Sequence, residues 1–234
     1  MMDIELEIRD YLLKKIIRHE FAQGKKLPSE NDTARKFKTT RHTVRKAYQM
    51  LEEMGYLYAQ QGIGHFPLPP KPEIELHLRG DIGFSQKMRE QGIPYESRNL
   101  SIRLVSEPDK YHKKGLRANI YEVNRIRYLY GKPAALHRSY ISEETFPNIK
   151  ETGRHISSMF DYYRELGYQS FESSGTQMSI SFPTIEEKEI LQCGSLVPLL
   201  ILDTNCFDKK SGKLLELTNI IYRSDLFKYN LQKN

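Results

Sequence analysis

Two pairs of arginines in this chain are spaced to grip oxyanions. In Thr40-Arg41-His42-Thr43-Val44-Arg45, Arg41 and Arg45 stand four residues apart, one helical turn, so both reach the same stretch of a polyanion. Arginine can hold guanine O6 and N7 bidentately. The hydroxyls of Thr39, Thr40 and Thr43 suit phosphates or adjacent bases, and His42 is compatible with either. Arg125 and Arg127 stand two apart. On a strand they project from one face about 6 to 7 Å apart, close enough to share one phosphate or carboxylate. Gly83-Phe84-Ser85 precedes a helical "SQKMREQG", whose first backbone N–H groups are available to an anion. Solvated cationic faces, surface ion pairs and ordinary caps produce the same spacings, so the surrounding elements must decide.

Other chemistries find no support. There is no nucleophile elbow, HExxH or P-loop, and the seven His are too scattered for a metal set. Gly62-Ile63-Gly64 is too short for a dinucleotide fingerprint and opens no helix. Neither an enzyme nor a cofactor nor a metal is expected. Cys193 and Cys206 lack CxxC spacing, so no disulfide scaffold is expected either. The start, "MMDIELEIRDYLLKKII", lacks the basic-then-apolar order of a secretion signal, and no run reaches about 18 apolar residues. A cytoplasmic protein without a membrane partner is expected.

The positioning elements fall into two groups. Ile4, Ile8, Tyr11, Leu12 and Ile16 mark a first amphipathic helix. Ser29 is the candidate N-cap of a second, and Val44, Ala47, Tyr48 and Leu51 give a third, from Arg41 to about Met54, its apolar stripe. "YLYAQ", the glycine turn and "HF" read as a two-stranded hairpin. The whole is a winged helix-turn-helix over 1–67, closed by a proline-rich linker over 68–74. Between Lys25 and Lys46 eight basic residues face two acidic ones, which accounts for the chain's whole net charge of +6. Such a concentrated field is what neutralising DNA phosphates requires.

From 75 to 234 strands dominate. Leu100, Ile102 and Leu104 alternate with polar residues, Tyr121, Val123, Arg125, Arg127 and Leu129 share one face of another strand, and Thr176, Met178, Ile180 and Phe182 mark a third. A helix is expected from Ile156 to Leu166, a short capped one after Thr184, and a long closing hairpin turning at 209–212. This describes an α+β domain around a largely antiparallel sheet.

"LPSE", "TTRHTVRKAYQMLEEMGYL" and "QGIGHF" resemble the winged-helix domain of GntR-type bacterial transcription regulators. That resemblance implies that Arg41, Thr43 and Arg45 contact DNA, that Lys46 lies near the backbone, and that Gly62 is the wing tip in the minor groove. Asn31 stands where the family commonly has Arg, and Ala59-Gln60-Gln61 where it has basic residues. "GFSQKMREQGIP", "IYEVNRIRYLYGKPAALHRSYI", "SSMFDYYRELGY" and "LLELTNIIYRSDLF" resemble the blocks of the UTRA effector domain of the HutC-like branch, a chorismate-lyase-like fold. By that resemblance Gly83, Phe84, Ser85, Arg125, Arg127 and Ser158 hold a phosphate, while Glu216 and Tyr222 line the pocket. His137 stands where many members have a carboxylate. Glu216 and Tyr222 are six residues apart, about 20 Å on an extended strand, so sharing one small ligand requires a bend.

The expected function is a homodimeric, ligand-responsive repressor. It reads a palindromic operator and is released by a small anionic effector, a sugar phosphate. The alternatives are a sensor of an amino-acid-like carboxylate and a chorismate-lyase-type enzyme carrying a DNA-binding domain.

Overall fold

The computed structural model describes residues 3–21, 24–69, 73–76 and 82–231. The chain divides into two compact units, Met1–Pro72 with Phe182–Pro198, and Glu73–Ser181 with Leu199–Asn234. Residues 70–72 of the expected proline linker lie outside the described residues.

In the first unit, α1 (Ile4–Ile17) is capped by Asp3, α2 (Glu30–Phe37) by Ser29 and α3 (Arg41–Glu53) by Thr40, each side chain accepting a backbone N–H of the first turn. Lys38, left-handed at φ 50°, ends α2 and makes the short turn into α3. The apolar stripes of α1 and α3 meet, and Ile8, Leu12, Val44, Ala47, Tyr48 and Leu51 are fully buried. The Tyr48 hydroxyl donates to the Pro28 carbonyl at 2.7 Å, which fixes the entry to α2. Burial pushes that hydroxyl's pKa up to about 12. Strands β1 (Leu57–Gln60) and β2 (Gly64–Pro67) form the antiparallel wing. This is a helix-turn-helix with its hairpin, as the sequence reading expects.

The second unit is built on one antiparallel sheet. Its strands are β4 (Tyr95–Leu104), β5 (Ile120–Leu129), β6 (Lys132–Ser142), β7 (Phe171–Glu172), β8 (Thr176–Ser181), β9 (Leu199–Asp208) and β10 (Leu214–Arg223). Their order is β4-β5-β6-β10-β9, with β7 and β8 both pairing with β9. A separate parallel pair joins β3 (Glu73–Leu76) to β11 (Lys228–Leu231). One sheet face is flanked by α4 (Phe84–Glu90) and α7 (Met159–Glu165), which pack against core residues such as Leu129, Tyr222, Val123 and Phe171. Short helices α5 (Asp109–His112) and α6 (Ile149–Thr152) fill the connections. The connection between β8 and β9 holds α8 (Ile185–Leu191), whose Thr184 and Glu187 form the expected capping box.

Three details differ from the periodicity. Helix α4 starts at Phe84, one residue before the expected "SQKMREQG", with Gly83 as N-cap. Ile156 lies outside α7, because Ser158 caps the helix start. Leu100, Leu104, Met178 and Ile180 are exposed, although the strands that carry them form.

Candidate functional site

Helix α3 presents the first candidate surface. Arg41 and Arg45 are more than half and nearly half exposed, and both turn toward one carboxylate of α2, Glu30. Arg41 Nε donates to Glu30 at 2.6 Å and Arg45 Nε at 3.4 Å. Partial burial works to raise the Glu30 pKa, but the two guanidiniums outweigh it and hold the carboxyl below its ordinary value. Lys46 lies 3.5 Å from Glu5 of α1. Thr40 is committed to its cap, accepting the Thr43 N–H at 3.2 Å and lying 2.9 Å from the Thr43 hydroxyl. His42 is exposed at the same end of the helix. Gly62 tips the wing at φ 75° with open space around it. That backbone favours glycine at a close approach.

One cation escaped the sequence reading of the wing. The Leu27 N–H donates to the His65 carbonyl at 2.8 Å, which lays the chain before α2 along β2. A Cβ placed on Gly64 would lie 3.7 Å from the Lys26 Cδ, so the Lys26 stem runs beside the wing. The wing lacks basic residues at 59–61, and Lys26 restores one from another part of the chain. Only the overall charge count signalled it.

The second candidate is a cavity on the sheet face flanked by α4 and α7. Register assembles its floor. Arg125 of β5 pairs with His137 of β6, His137 with Ile220 of β10, and Ile220 with Leu202 of β9. In the adjacent rows lie Arg127, Ala135 and Tyr222, and then Ser139, Thr218, Thr204 and Thr176. Gly83, Phe84 and Lys87 of the α4 segment, and Ser158 and Phe160 of the α7 segment, complete the lining. A Cβ on Gly83 would sit 3.0 Å from the Phe160 ring, so the two segments meet closely there.

Of the expected effector residues, Gly83, Phe84, Arg125, Arg127, His137, Ser158, Glu216 and Tyr222 all line this cavity. Ser85 is buried in the first turn of α4 and is not among the lining residues. Tyr222 and Glu216 both line the cavity, although β10 pairs with β9 in unbroken register from Glu216 to Arg223 and its bulge lies before Glu216, at Leu214/Glu216. Sequence reading missed Lys87, Thr176, Thr204, Asn205 and Thr218, because polar residues alternating on a strand look the same whether they face solvent or a cavity.

The electrostatics are unusual for a buried site. Arg125 and Arg127 are each only 2% exposed. Arg125 donates to the Ser139 hydroxyl, and Arg127 to the Ser97 hydroxyl and, at 2.7 Å, to the Ser157 carbonyl. The Arg127 guanidinium also lies 5.1 Å from the centre of the Phe84 ring. Burial lowers the Arg125 pKa, and burial together with the Arg125 charge lowers that of Arg127 to about 9. Burial, then Arg127 and Arg125, hold the His137 imidazole well below its ordinary pKa, so it is neutral. The Nε atoms of both arginines, His137 Nε2 and one Glu216 oxygen are buried with no hydrogen-bond partner. Among the lining residues Lys87, Arg125 and Arg127 face a single carboxylate, Glu216. Buried donors and uncompensated charge of this kind cost stability unless an anion completes them.

Residues 4–66 match the family of bacterial regulatory proteins, gntR family, and residues 90–228, more than half the chain, match the UTRA domain. The HTH-type transcriptional repressor NagR of Bacillus subtilis is 26% identical over 229 residues, covering 97% of this chain and 93% of NagR. The HTH-type transcriptional regulator GgaR of Escherichia coli is 25% identical over 207 residues, 87% of this chain and 80% of GgaR. PhnF from Mycobacterium smegmatis has the same fold, with a TM-score of 0.60 at 18% identity, over 97% of this chain and 99% of PhnF. Regulators, not enzymes, share both halves of this architecture, and the chain belongs to the GntR-type transcription regulators that carry a UTRA domain.

Proposed function

We propose that this regulator is a cytoplasmic homodimeric repressor whose UTRA cavity senses a phosphate monoester of a polyhydroxylated compound, a sugar phosphate. The excess of buried positive charge around Arg125 and Arg127 carries this reading. A dianion offsets it better than a single carboxylate, and the partnerless guanidinium N–H groups supply directed donors. Thr176, Thr204, Asn205 and Thr218 provide hydroxyl and amide groups for the rest of the ligand. The repressor sign is supported by the likeness to NagR. On DNA, Arg41 and Arg45 face base edges, while Thr43, His42, Lys46, Lys26 and the Gly62 wing tip meet backbone or minor groove. A single winged helix reads few bases, so a palindrome bound by two copies gives useful affinity.

A thermal-shift screen against sugar phosphates, free sugars and small carboxylates tests the sensor, with the Arg125→Ala/Arg127→Ala double variant alongside. The expected result is stabilisation by a sugar phosphate that the double variant abolishes. Stabilisation by a free sugar or a carboxylate alone contradicts the proposed ligand class. Selection of duplexes from a random pool, at fixed salt, tests the DNA reading; the expected product is a two-fold symmetric site.

A further inference from the structure

The connection between β8 and β9 lies inside the UTRA match, yet it belongs to the compact unit that reads DNA. It leaves β8 after Ser181 and enters β9 at Leu199, and these two residues are register partners, so the segment is a closed loop on one hairpin. It runs through α8, turns at Gln192 with φ 51°, and reaches Gly194, Ser195 and Leu196.

Those three residues hold the end of α3. The Ser195 N–H donates to the Glu53 carboxylate at 2.6 Å, and the Leu196 N–H to the Glu53 carbonyl at 3.2 Å. The Glu53 carbonyl is among the last of α3, where helical geometry leaves acceptors unpaired. The loop therefore caps the recognition helix from 142 residues away in sequence. Lys188 of α8 donates to the Ser195 hydroxyl at 2.7 Å. The Ser195 N–H is the main cause that keeps the Glu53 carboxyl below its ordinary pKa. Gly194 permits the approach. A Cβ there would lie 2.3 Å from the Glu53 carbonyl oxygen and 2.8 Å from its Cα, backbone atoms that cannot swing aside.

The strands at the two ends of this loop carry cavity residues, Thr176 on β8 and Leu202, Thr204, Asn205 and Cys206 on β9. We propose that the β8–β9 loop is a positioning tether. Gly194, Ser195 and Leu196 set the C-terminal end of the recognition helix, and a change in the two cavity strands reaches α3 through Glu53. The tether rests on the DNA-reading role of α3, and it gives the population shift between ligand-bound and DNA-bound forms a physical route.

The test uses the full chain and needs no identified ligand. In Gly194→Val, hydrogen exchange at Ser195, Leu196 and the last turn of α3 is expected to quicken at least tenfold, while α2 and the wing keep their protection. Glu53→Gln retains an acceptor oxygen and is expected to change these rates less than threefold. Unchanged exchange at Ser195 and Leu196 in Gly194→Val overturns the tether, whatever the ligand or operator proves to be.

A second arm separates coupling from mere support. Thr204→Leu fills the cavity side of β9. It is expected to change affinity for duplexes selected by the wild type at least fivefold, but less than twofold in the Gly194→Ala background. Equal effects in both backgrounds overturn the proposal, since independent sites add. Failure to select any duplex sinks the DNA reading instead and leaves the exchange result standing.

Discussion

His137 shows how far a cavity can move one side chain from its ordinary chemistry. It is 4% exposed, it pairs across the strands with Arg125, and its ring meets Phe84 and Tyr222 edge-on at 5.3 and 6.0 Å. Burial and then the positive charges of Arg127, Arg125 and Lys87 hold its pKa well below 6.5. The unfolded chain therefore takes up a proton near pH 6.5 that the folded chain refuses. Stability then rises with pH through the interval below 6.5, at up to about 1.4 kcal/mol per pH unit. His137→Gln is expected to flatten that part of the profile, measured as urea midpoints at matched ionic strength from pH 5 to 7. Superimposable profiles exclude a neutral buried imidazole. None of this was legible in the residue itself, because burial of a strand histidine depends on what covers the sheet. Arg125 and Arg127 were legible, since their i, i+2 spacing fixes a shared face wherever the strand lies. Ser85 shows the converse: the helix start was visible, but which first-turn side chain faces the cavity was not.

Between elements, the instructive contact is the one by which α2 disciplines α3. Glu30 follows the Ser29 cap on α2 and receives Arg41 and Arg45 from the first turns of α3, so one carboxylate orders both of the side chains proposed to read bases. Its removal has two opposed effects. The surface becomes more positive, which strengthens binding to any duplex, while two long side chains lose a fixed starting geometry. Glu30→Gln is expected to tighten binding to unrelated DNA several-fold and to cut discrimination for the selected site about tenfold, within the 1 to 3 kcal/mol that one bidentate arginine contact supplies. Fluorescence anisotropy with both duplexes measures the ratio, and unchanged discrimination would remove Glu30 from the recognition apparatus. The helices and wing were readable because caps, breaks and 3.6-residue stripes are local signals: Ser29 and Thr184 cap where expected, while Thr40, read as part of the polar break, also proves to be a cap. Strand existence was equally readable, strand burial less so. Met178 and Ile180 obey the alternation of a buried face yet are 50% and 74% exposed, because β8 pairs only with β9 among the described strands.

At the scale of the whole chain, charge is divided as sharply as function. The net +6 is confined to residues 25–46, and the remainder balances. The UTRA unit nevertheless buries two of its arginines in a cavity, where they are shielded from any duplex. Salt dependence separates the two sets of cations. If Arg41, Arg45, Lys46 and Lys26 each displace a counterion, log K falls with log salt at a slope of about −3 to −4 per bound copy. Arg125→Ala/Arg127→Ala is expected to leave that slope unchanged, whereas Lys26→Ala lowers its magnitude by about one, at constant base preference. A slope that changes with the cavity variant would mean that Arg125 and Arg127 contribute to the DNA-binding field. That outcome would undo the assignment of one arginine pair to DNA and the other to a small anion. An unchanged slope, with ligand stabilisation lost, would assign the two arginine pairs to two different anions, the duplex and the small ligand.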